Sequence, residues 1–174
     1  EWNMAGVRLN YVHGGVLSWD GVQAMAPKLA ARNLHVQMLM HAHLHIEDLE
    51  IQVARLPVDV CFDHIGWPDL SLGVAHPGIQ TLCRLLAEGK AWVKLSGLYR
   101  LCDAPYDTAD AIVAALVAAN PQRCLWGSDW PHIMLNGAEM PRAACLLDAF
   151  HRVVTDTKTR HRILVDNPAQ LYGF

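Results

Sequence analysis

Ionisable and polar side chains follow each of five short apolar runs in this sequence. In chain order they are Asn10 and His13, His41 and His43, Asp63 and His64, Ser96 and Arg100, and Asp129 and His132. A positioned carboxylate can take a proton from water, a histidine can polarise a carbonyl group, and a guanidinium can bind a carboxylate through two hydrogen bonds. Hydrolysis of a lactone or an amide would need these kinds of group.

The segment at residues 123–132 reads R-C-L-W-G-S-D-W-P-H and carries the strongest single signal. An apolar run closed by Gly127 predicts a buried strand that ends in a tight turn, with Asp129 in the loop beyond it. Partial desolvation by Trp126 and Trp130 would raise the proton affinity of the Asp129 carboxyl and suit it to act as a base. The alternative is that Asp129 only caps a turn.

The elements that would position these groups alternate along the chain. The patterns predict strands at residues 6–12, 36–40, 58–62, 91–95 and 124–126, and helices at 19–33, 46–56, 76–88, 108–119, 140–154 and 158–165, with a final short turn at 171–172. Alternating strands and helices predict an α/β protein with a parallel sheet. In such folds side chains at the carboxyl ends of the strands share one face. No linker composition divides the chain, so residues 1–174 are predicted to form a single domain.

Composition narrows the class of protein. The chain has 174 residues, of which 52% are hydrophobic, and a formal net charge of −3. This balance favours a soluble domain with a small-molecule substrate and gives no reason to expect nucleic acid or a membrane as partner. Five scattered cysteines without paired spacing indicate reduced thiols and a cytoplasmic protein.

Four motifs occur in order: D-H-I-G-W-P-D at 63–69, W-V-K-L-S-G-L-Y-R-L at 92–101, W-G-S-D-W-P-H at 126–132 and D-N-P-A-Q-L-Y-G-F at 166–174. Together they resemble the amidohydrolase-related TIM-barrel hydrolases (amidohydrolase family 2), in particular the branch that contains 2-pyrone-4,6-dicarboxylate lactonase. The resemblance implies a (β/α)8 barrel in which the five strands here correspond to strands four to eight. We therefore expect a partial barrel, either a fragment with little activity alone or a part completed by another copy in a homo-oligomer.

The same resemblance assigns roles to individual residues. It implies that Asp129 is the general base and that His64 helps to polarise the carbonyl group. It also implies a substrate-binding set, which comprises Arg8, Asn10, His41, Ser96, Arg100 and His132. Arg8 could equally be a structural residue that ties a strand to a loop.

Two positions depart from the pattern of the dicarboxylate lactonases. Trp67 stands where those proteins have an arginine, and Gly14 stands where they have another basic residue. The loss of two cationic contacts argues against a substrate with two carboxylates. A monocarboxylate, or a related sugar or aryl lactone against an aromatic wall, fits better.

Metal ions and other cofactors are not expected. His41 or His43, with His64 and Asp129, could supply part of a zinc site, but the His-x-His motif that the family carries on its first strand has no counterpart here. Divalent metal such as zinc remains possible in an intact homologue. The alternatives are a metal-dependent decarboxylase of the same superfamily, with Asp129 as a metal ligand, and an inactive barrel fragment.

Overall fold

A computed structural model describes residues 4–133, 135 and 139–174 of the chain. Five strands form one parallel sheet in the order of the sequence: β1 (Gly6–Asn10), β2 (His35–Leu39), β3 (Val60–Phe62), β4 (Ala91–Leu95) and β5 (Cys124–Trp126). Because all the strands run the same way, their carboxyl ends meet at one edge. Residues 134 and 136–138, in the loop before the predicted helix at 140–154, are outside the described residues. The helix itself is described and spans Ala143–Val153.

Helices connect the strands, and the first five of them cover one face of the sheet. They are α1 (Trp19–Ala30), α2 (Ala42–Arg55), α3 (Pro77–Ala87), α4 (Asp110–Ala119), α5 (Ala143–Val153), α6 (Thr157–His161) and α7 (Asn167–Tyr172). The apolar side of α3 faces the sheet, since Leu82, Leu85 and Leu86 are each at most 1% exposed. Burying each such side chain stabilises the fold by about 1.5–3 kcal/mol. No helix among the described residues has the length and apolar character needed to cross a membrane.

Several element bounds differ from the sequence-based prediction by a few residues, and two of the differences have a clear physical reason. Helix α2 begins at Ala42 rather than near Ile46, because Ala42 belongs to the same buried stripe as Ile46 and Leu49. His43 is therefore in the first turn of the helix and not in a loop. At the other end of the chain the predicted short turn is wrong, since residues 167–172 form helix α7. A π-helical turn over Arg162–Asp166 leads into it, and a proline at the start of a helix needs no amide hydrogen.

The second face of the sheet has a different character. Near the amino-terminal ends of the strands Cys61, Trp92 and Leu125 form a small buried cluster, against which Leu171 and Tyr172 pack. Further along the same strands this face carries polar side chains, because residues two apart in a strand point to the same side. The face is therefore apolar near the amino-terminal ends of the strands and polar towards their carboxyl ends, where it lines a cavity.

Candidate active site

Asp129 lies in the loop just past β5, as the apolar run and Gly127 predict. Its Oδ2 atom accepts hydrogen bonds from the Tyr99 hydroxyl at 2.7 Å and from Nε of Arg100 at 2.8 Å. Its Oδ1 atom lies 3.9 Å from Nε2 of His64 and accepts no hydrogen bond within the described residues. One oxygen is thus fixed by two donors and the other faces the histidine.

The charge state of Asp129 differs from the expectation. Burial favours the neutral acid, but the hydrogen bonds from Tyr99 and Arg100 outweigh it and hold the pKa of this carboxyl below its usual value. Trp130, which was expected to help desolvate the carboxyl, is 78% exposed. Desolvation acts in the expected direction, but the expected net rise in proton affinity is wrong because it took no account of these two donors. Asp129 is therefore a carboxylate at neutral pH.

His64 follows β3 and is 5% exposed. Its Nδ1 atom lies 3.0 Å from the Ser96 hydroxyl, and burial lowers the pKa of the imidazole against the opposing effect of Asp129. The ring is therefore neutral near pH 7. Gly97 lies against it with φ at +66°, and a Cβ atom at Gly97 would be 2.5 Å from Nδ1 of His64. Glycine at this position is required by both the backbone and the ring.

Left-handed backbone conformations concentrate around these two residues. Non-glycine residues with positive φ include His64 (53°), Ile65 (51°), Trp67 (41°), Asp129 (61°) and His132 (55°). Such conformations cost about 1–3 kcal/mol each and persist where the surrounding structure holds them in place. Strain of this kind is typical of functional sites. It occurs in the loops that carry His64 and Asp129, so backbone and side chains both point to these loops as the functional site.

A buried carboxylate lies beside this pair. Asp63, 2% exposed, accepts hydrogen bonds at Oδ2 from Nε and Nη2 of Arg8 at 3.1 and 2.9 Å, and from the Gln37 amide at 3.0 Å. Nζ of Lys94 lies 3.4 Å from Oδ1 of Asp63 and donates to Oε1 of Gln37 at 2.6 Å. Arg8 therefore makes a structural contact with Asp63 and also lines the cavity, so both predicted roles remain compatible with its position.

A cavity of about 370 Å³ joins the two groups of residues at the carboxyl edge of the sheet. Its walls comprise Arg8, Gln37, Asp63, His64, Lys94, Ser96, Leu125, Trp126, Gly127, Asp129, Pro168 and Tyr172. Four of the residues singled out from the sequence, namely Arg8, His64, Ser96 and Asp129, thus line one space. Arg100 adjoins it through its contact with Asp129, and its guanidinium lies 4.9 Å from the centre of the Tyr99 ring.

Four of the six predicted substrate-binding residues do not line this cavity, namely Arg100, which adjoins it, and three that lie in loops outside it. The Asn10 side chain accepts a hydrogen bond from the His13 amide at 3.0 Å. Nδ1 of His41 lies 3.1 Å from the Trp67 carbonyl oxygen, and Nε2 of His132 lies 2.9 Å from the Ser128 carbonyl oxygen. Each of these side chains contacts the backbone of a loop at the edge of the sheet.

Sequence reasoning missed Gln37, Lys94 and Tyr99. The signal for the first two is a polar residue in the middle of an apolar strand, at a position whose side chain points away from the helices. Gln37 pairs with Arg8 in the strand register, so the two side chains share a face. For Tyr99 the sequence contains no comparable pattern, apart from its position next to Arg100.

The residues around the cavity do not form a ready metal site. Among the described residues, no three side chains of His, Cys, Asp or Glu are grouped so that they could hold a metal ion. His41 and His43 lie beside one another with ring centres 5.5 Å apart, but both are away from the cavity that Asp129 lines. The side chains that the structure describes around this cavity therefore do not fit a metal centre.

Residues 2–174 match the amidohydrolase family, and the chain belongs to that family. It is 36% identical over 131 residues to 4-sulfomuconolactone hydrolase of Rhizobium radiobacter, a match that covers 74% of this chain and 44% of that protein. It is 29% identical over 180 residues to a 2-pyrone-4,6-dicarboxylate hydrolase of Comamonas testosteroni, covering 96% of this chain and 58% of that protein. The chain thus spans about half the length of these relatives.

Among solved structures, the chain is similar to a probable 2-pyrone-4,6-dicarboxylic acid hydrolase of Acinetobacter baumannii with citric acid bound. The identity is 27%, the TM-score 0.81, and the match covers 98% of this chain and 64% of that one. The five strands and their helices are therefore part of a TIM-barrel fold. This confirms the predicted fold class and the family resemblance.

Proposed function

We propose that this chain carries catalytic residues of an enzyme that opens a lactone, or a related cyclic ester, of a small carboxylated compound by attack of water. The observation that supports this most directly is the arrangement of Asp129, whose Oδ1 atom faces His64 at the wall of a cavity. The relatives named as lactone hydrolases support the same reaction class.

Asp129 acts as the general base in this proposal. A water molecule bound at Oδ1 gives a proton to the carboxylate while its oxygen forms a bond to the carbonyl carbon. The bond between that carbon and the ring oxygen then breaks, and the leaving oxygen takes the proton back from Asp129. Tyr99 and Arg100 hold Oδ2, so that Oδ1 is the oxygen presented to the water.

His64 polarises the carbonyl oxygen as a neutral donor. If the Ser96 hydroxyl donates to Nδ1, the proton of the neutral ring is on Nε2, which points towards Asp129 and the cavity. A hydrogen bond from Nε2 stabilises the charge that develops on the carbonyl oxygen. Burial supports this role because it keeps the imidazole uncharged.

Arg8, Arg100 and Ser96 are assigned to the substrate. The citric acid bound by the Acinetobacter protein supports a site for small acidic molecules. Asn10, His41 and His132 are assigned to the mouth of the cavity, which they shape through their contacts with loop backbone. The protein itself is assigned to the cytoplasm, since its five cysteines are free thiols.

The experiment is hydrolysis of 4-sulfomuconolactone and 2-pyrone-4,6-dicarboxylate by the protein. Asp129→Asn keeps the shape of the side chain but cannot take a proton, so kcat should fall by about 10²–10⁴-fold while the fold is retained. Asp148→Asn, on the exposed side of α5, is the matched control and should leave kcat unchanged. Full activity of Asp129→Asn would refute the mechanism, and inactivity towards every lactone tested would refute the function.

A further inference from the structure

The loop that carries Asp129 is tied together by one buried histidine. His132 is 4% exposed and lies three positions beyond Asp129 in the chain. Its backbone amide donates to the Asp129 carbonyl oxygen at 3.0 Å, and Nε2 of its ring lies 2.9 Å from the Ser128 carbonyl oxygen. These two carbonyl groups belong to the peptide units on either side of the Asp129 α-carbon. His132 therefore contacts the backbone both before and after the residue proposed as the base.

These contacts matter because the Asp129 backbone is in an unfavourable conformation. Its φ of 61° is in the left-handed region, which is disfavoured for a residue with a Cβ atom and persists only where the surroundings hold it. A carbonyl oxygen only accepts hydrogen bonds, so the Nε2 atom of His132 must carry the hydrogen that the Ser128 oxygen accepts. Without this N–H group, one of the two contacts that hold the left-handed conformation is lost.

The His132 ring also supports a donor of the carboxylate. The Tyr99 ring packs against it edge to face, with the ring centres 5.2 Å apart and the planes at 83°. The hydroxyl of this tyrosine donates to Oδ2 of Asp129 at 2.7 Å. His132 is thus linked to Asp129 through the backbone and, by way of Tyr99, through the side chain. It does not itself line the cavity.

We infer that His132 is a positioning residue for the Asp129 carboxylate. It keeps Oδ2 on the donors of Tyr99 and Arg100 and so leaves Oδ1 turned towards His64. This rests on the proposed general-base role of Asp129 and identifies what keeps that base in place. Because Tyr99 and Arg100 bind the same oxygen, a rotation of the loop weakens both hydrogen bonds together. The donors that hold the pKa of Asp129 below its usual value would then be lost.

The test is the pKa of Asp129, which carbon-13 NMR of its carboxyl group measures without any turnover. Asp129→Asn identifies the signal by its loss. His132→Phe keeps a ring against Tyr99 but has no donor for the Ser128 carbonyl group, so the pKa of Asp129 should rise by about one pH unit. His132→Gln retains a side-chain N–H group at a similar reach and should keep this pKa close to that of the wild type. On a lactone that the protein hydrolyses, kcat of His132→Phe should fall about tenfold with little change in KM.

His161→Phe is the matched control, because His161 is an exposed histidine of α6 that lies near Asp166 and outside the cavity. It should leave the pKa of Asp129 unchanged. An unchanged pKa of Asp129 in His132→Phe would overturn the inference, even if that variant unfolds more easily. A rise in KM with kcat and this pKa unchanged would also overturn it, since it would make His132 a substrate contact.

A measurement on the wild type covers the case in which His132→Phe does not fold. Nitrogen-15 NMR distinguishes which ring nitrogen of a histidine carries hydrogen, and the inference requires a hydrogen on Nε2 of His132. Hydrogen on Nδ1 alone would overturn it. A raised pKa of Asp129 in His132→Phe, without hydrolysis of any lactone by the wild type, would refute the proposed function while leaving the positioning role in place.

Discussion

The α-carbon of Gly97 lies so close to the imidazole of His64 that any larger residue would displace the ring. A Cβ at this position would approach Nδ1 of His64 to 2.5 Å and Cγ to 2.6 Å. The glycine thus fixes the one orientation in which the histidine contacts Ser96 and faces Asp129. A residue with no side chain is in this way a positioning element of the candidate site.

Gly97→Ala is expected to impair both activity and stability. An alanine in a left-handed conformation costs about 1–2 kcal/mol, and the clash with His64 adds to that cost. Gly173→Ala is the control, because Gly173 is also in the left-handed conformation, with φ at +75° and ψ at +42°, and has nothing within 4 Å of its Cβ position. Urea unfolding should show a larger loss for Gly97→Ala, and only this variant should lose kcat. Equal effects of the two substitutions would show that strain alone accounts for the glycine.

Tyr99→Phe should raise the pKa of Asp129 and move the acidic limb of the pH–rate profile to higher pH. The substitution removes a 2.7 Å hydrogen bond to the carboxylate, which is one of the two that hold its pKa down. Tyr106→Phe, at another buried tyrosine outside the cavity, should leave the limb in place. An unchanged limb in Tyr99→Phe would mean that Arg100 alone controls the charge of Asp129.

The same variant makes a prediction for stability. Folding lowers the pKa of Asp129, so its ionised form stabilises the native state at neutral pH, and this contribution is lost as the pH falls through the folded-state pKa. Tyr99→Phe reduces that contribution. Its unfolding free energy should be lower than that of the wild type by about 1 kcal/mol near neutral pH, with a smaller difference in strong acid. Denaturant unfolding at several pH values measures this difference.

The sequence predicted the order of elements and the edge at which chemistry-bearing residues gather, because both depend on local apolar patterns. Strand β4 (Ala91–Leu95) agrees to the residue, and Asp129 follows β5 as predicted. The charge of Asp129 could not be predicted this way, since it depends on Tyr99, which lies 30 positions away in the chain. Lys94 was missed for a related reason: its partner Asp63 follows another strand.

Asn167→Ala should destabilise the fold through the carbonyl groups that it leaves unpaired. The Asn167 amide is 1% exposed and donates to the carbonyl oxygens of Pro121 and Cys124 at 2.8 and 2.6 Å, so it joins α7 to the start of β5. Two buried acceptors without donors cost about 1–3 kcal/mol each. Gln170→Ala, at an exposed amide on the same helix, should change the unfolding free energy by less than about 0.5 kcal/mol.

Trp67→Arg should change which acids the cavity accepts. The Trp67 ring lies 5.6 Å from His64 and 5.5 Å from His41, and the Arg100 guanidinium is 5.9 Å from its centre, so this ring forms an aromatic wall beside the reacting groups. An arginine there adds a cation able to bind a second carboxylate. The KM for 2-pyrone-4,6-dicarboxylate should fall about tenfold relative to that for a lactone with one acidic group.

The control for this substitution is Trp130→Arg. Trp130 is 78% exposed and follows Asp129, so an arginine there adds the same charge but lies outside the aromatic wall. It should leave the ratio of the two KM values unchanged, since a solvent-exposed cation interacts weakly with a bound carboxylate. A similar shift in both variants would mean that general attraction between protein and dianion sets the preference. A shift in Trp67→Arg alone would make the residue at position 67 the point at which this site distinguishes one acidic group from two.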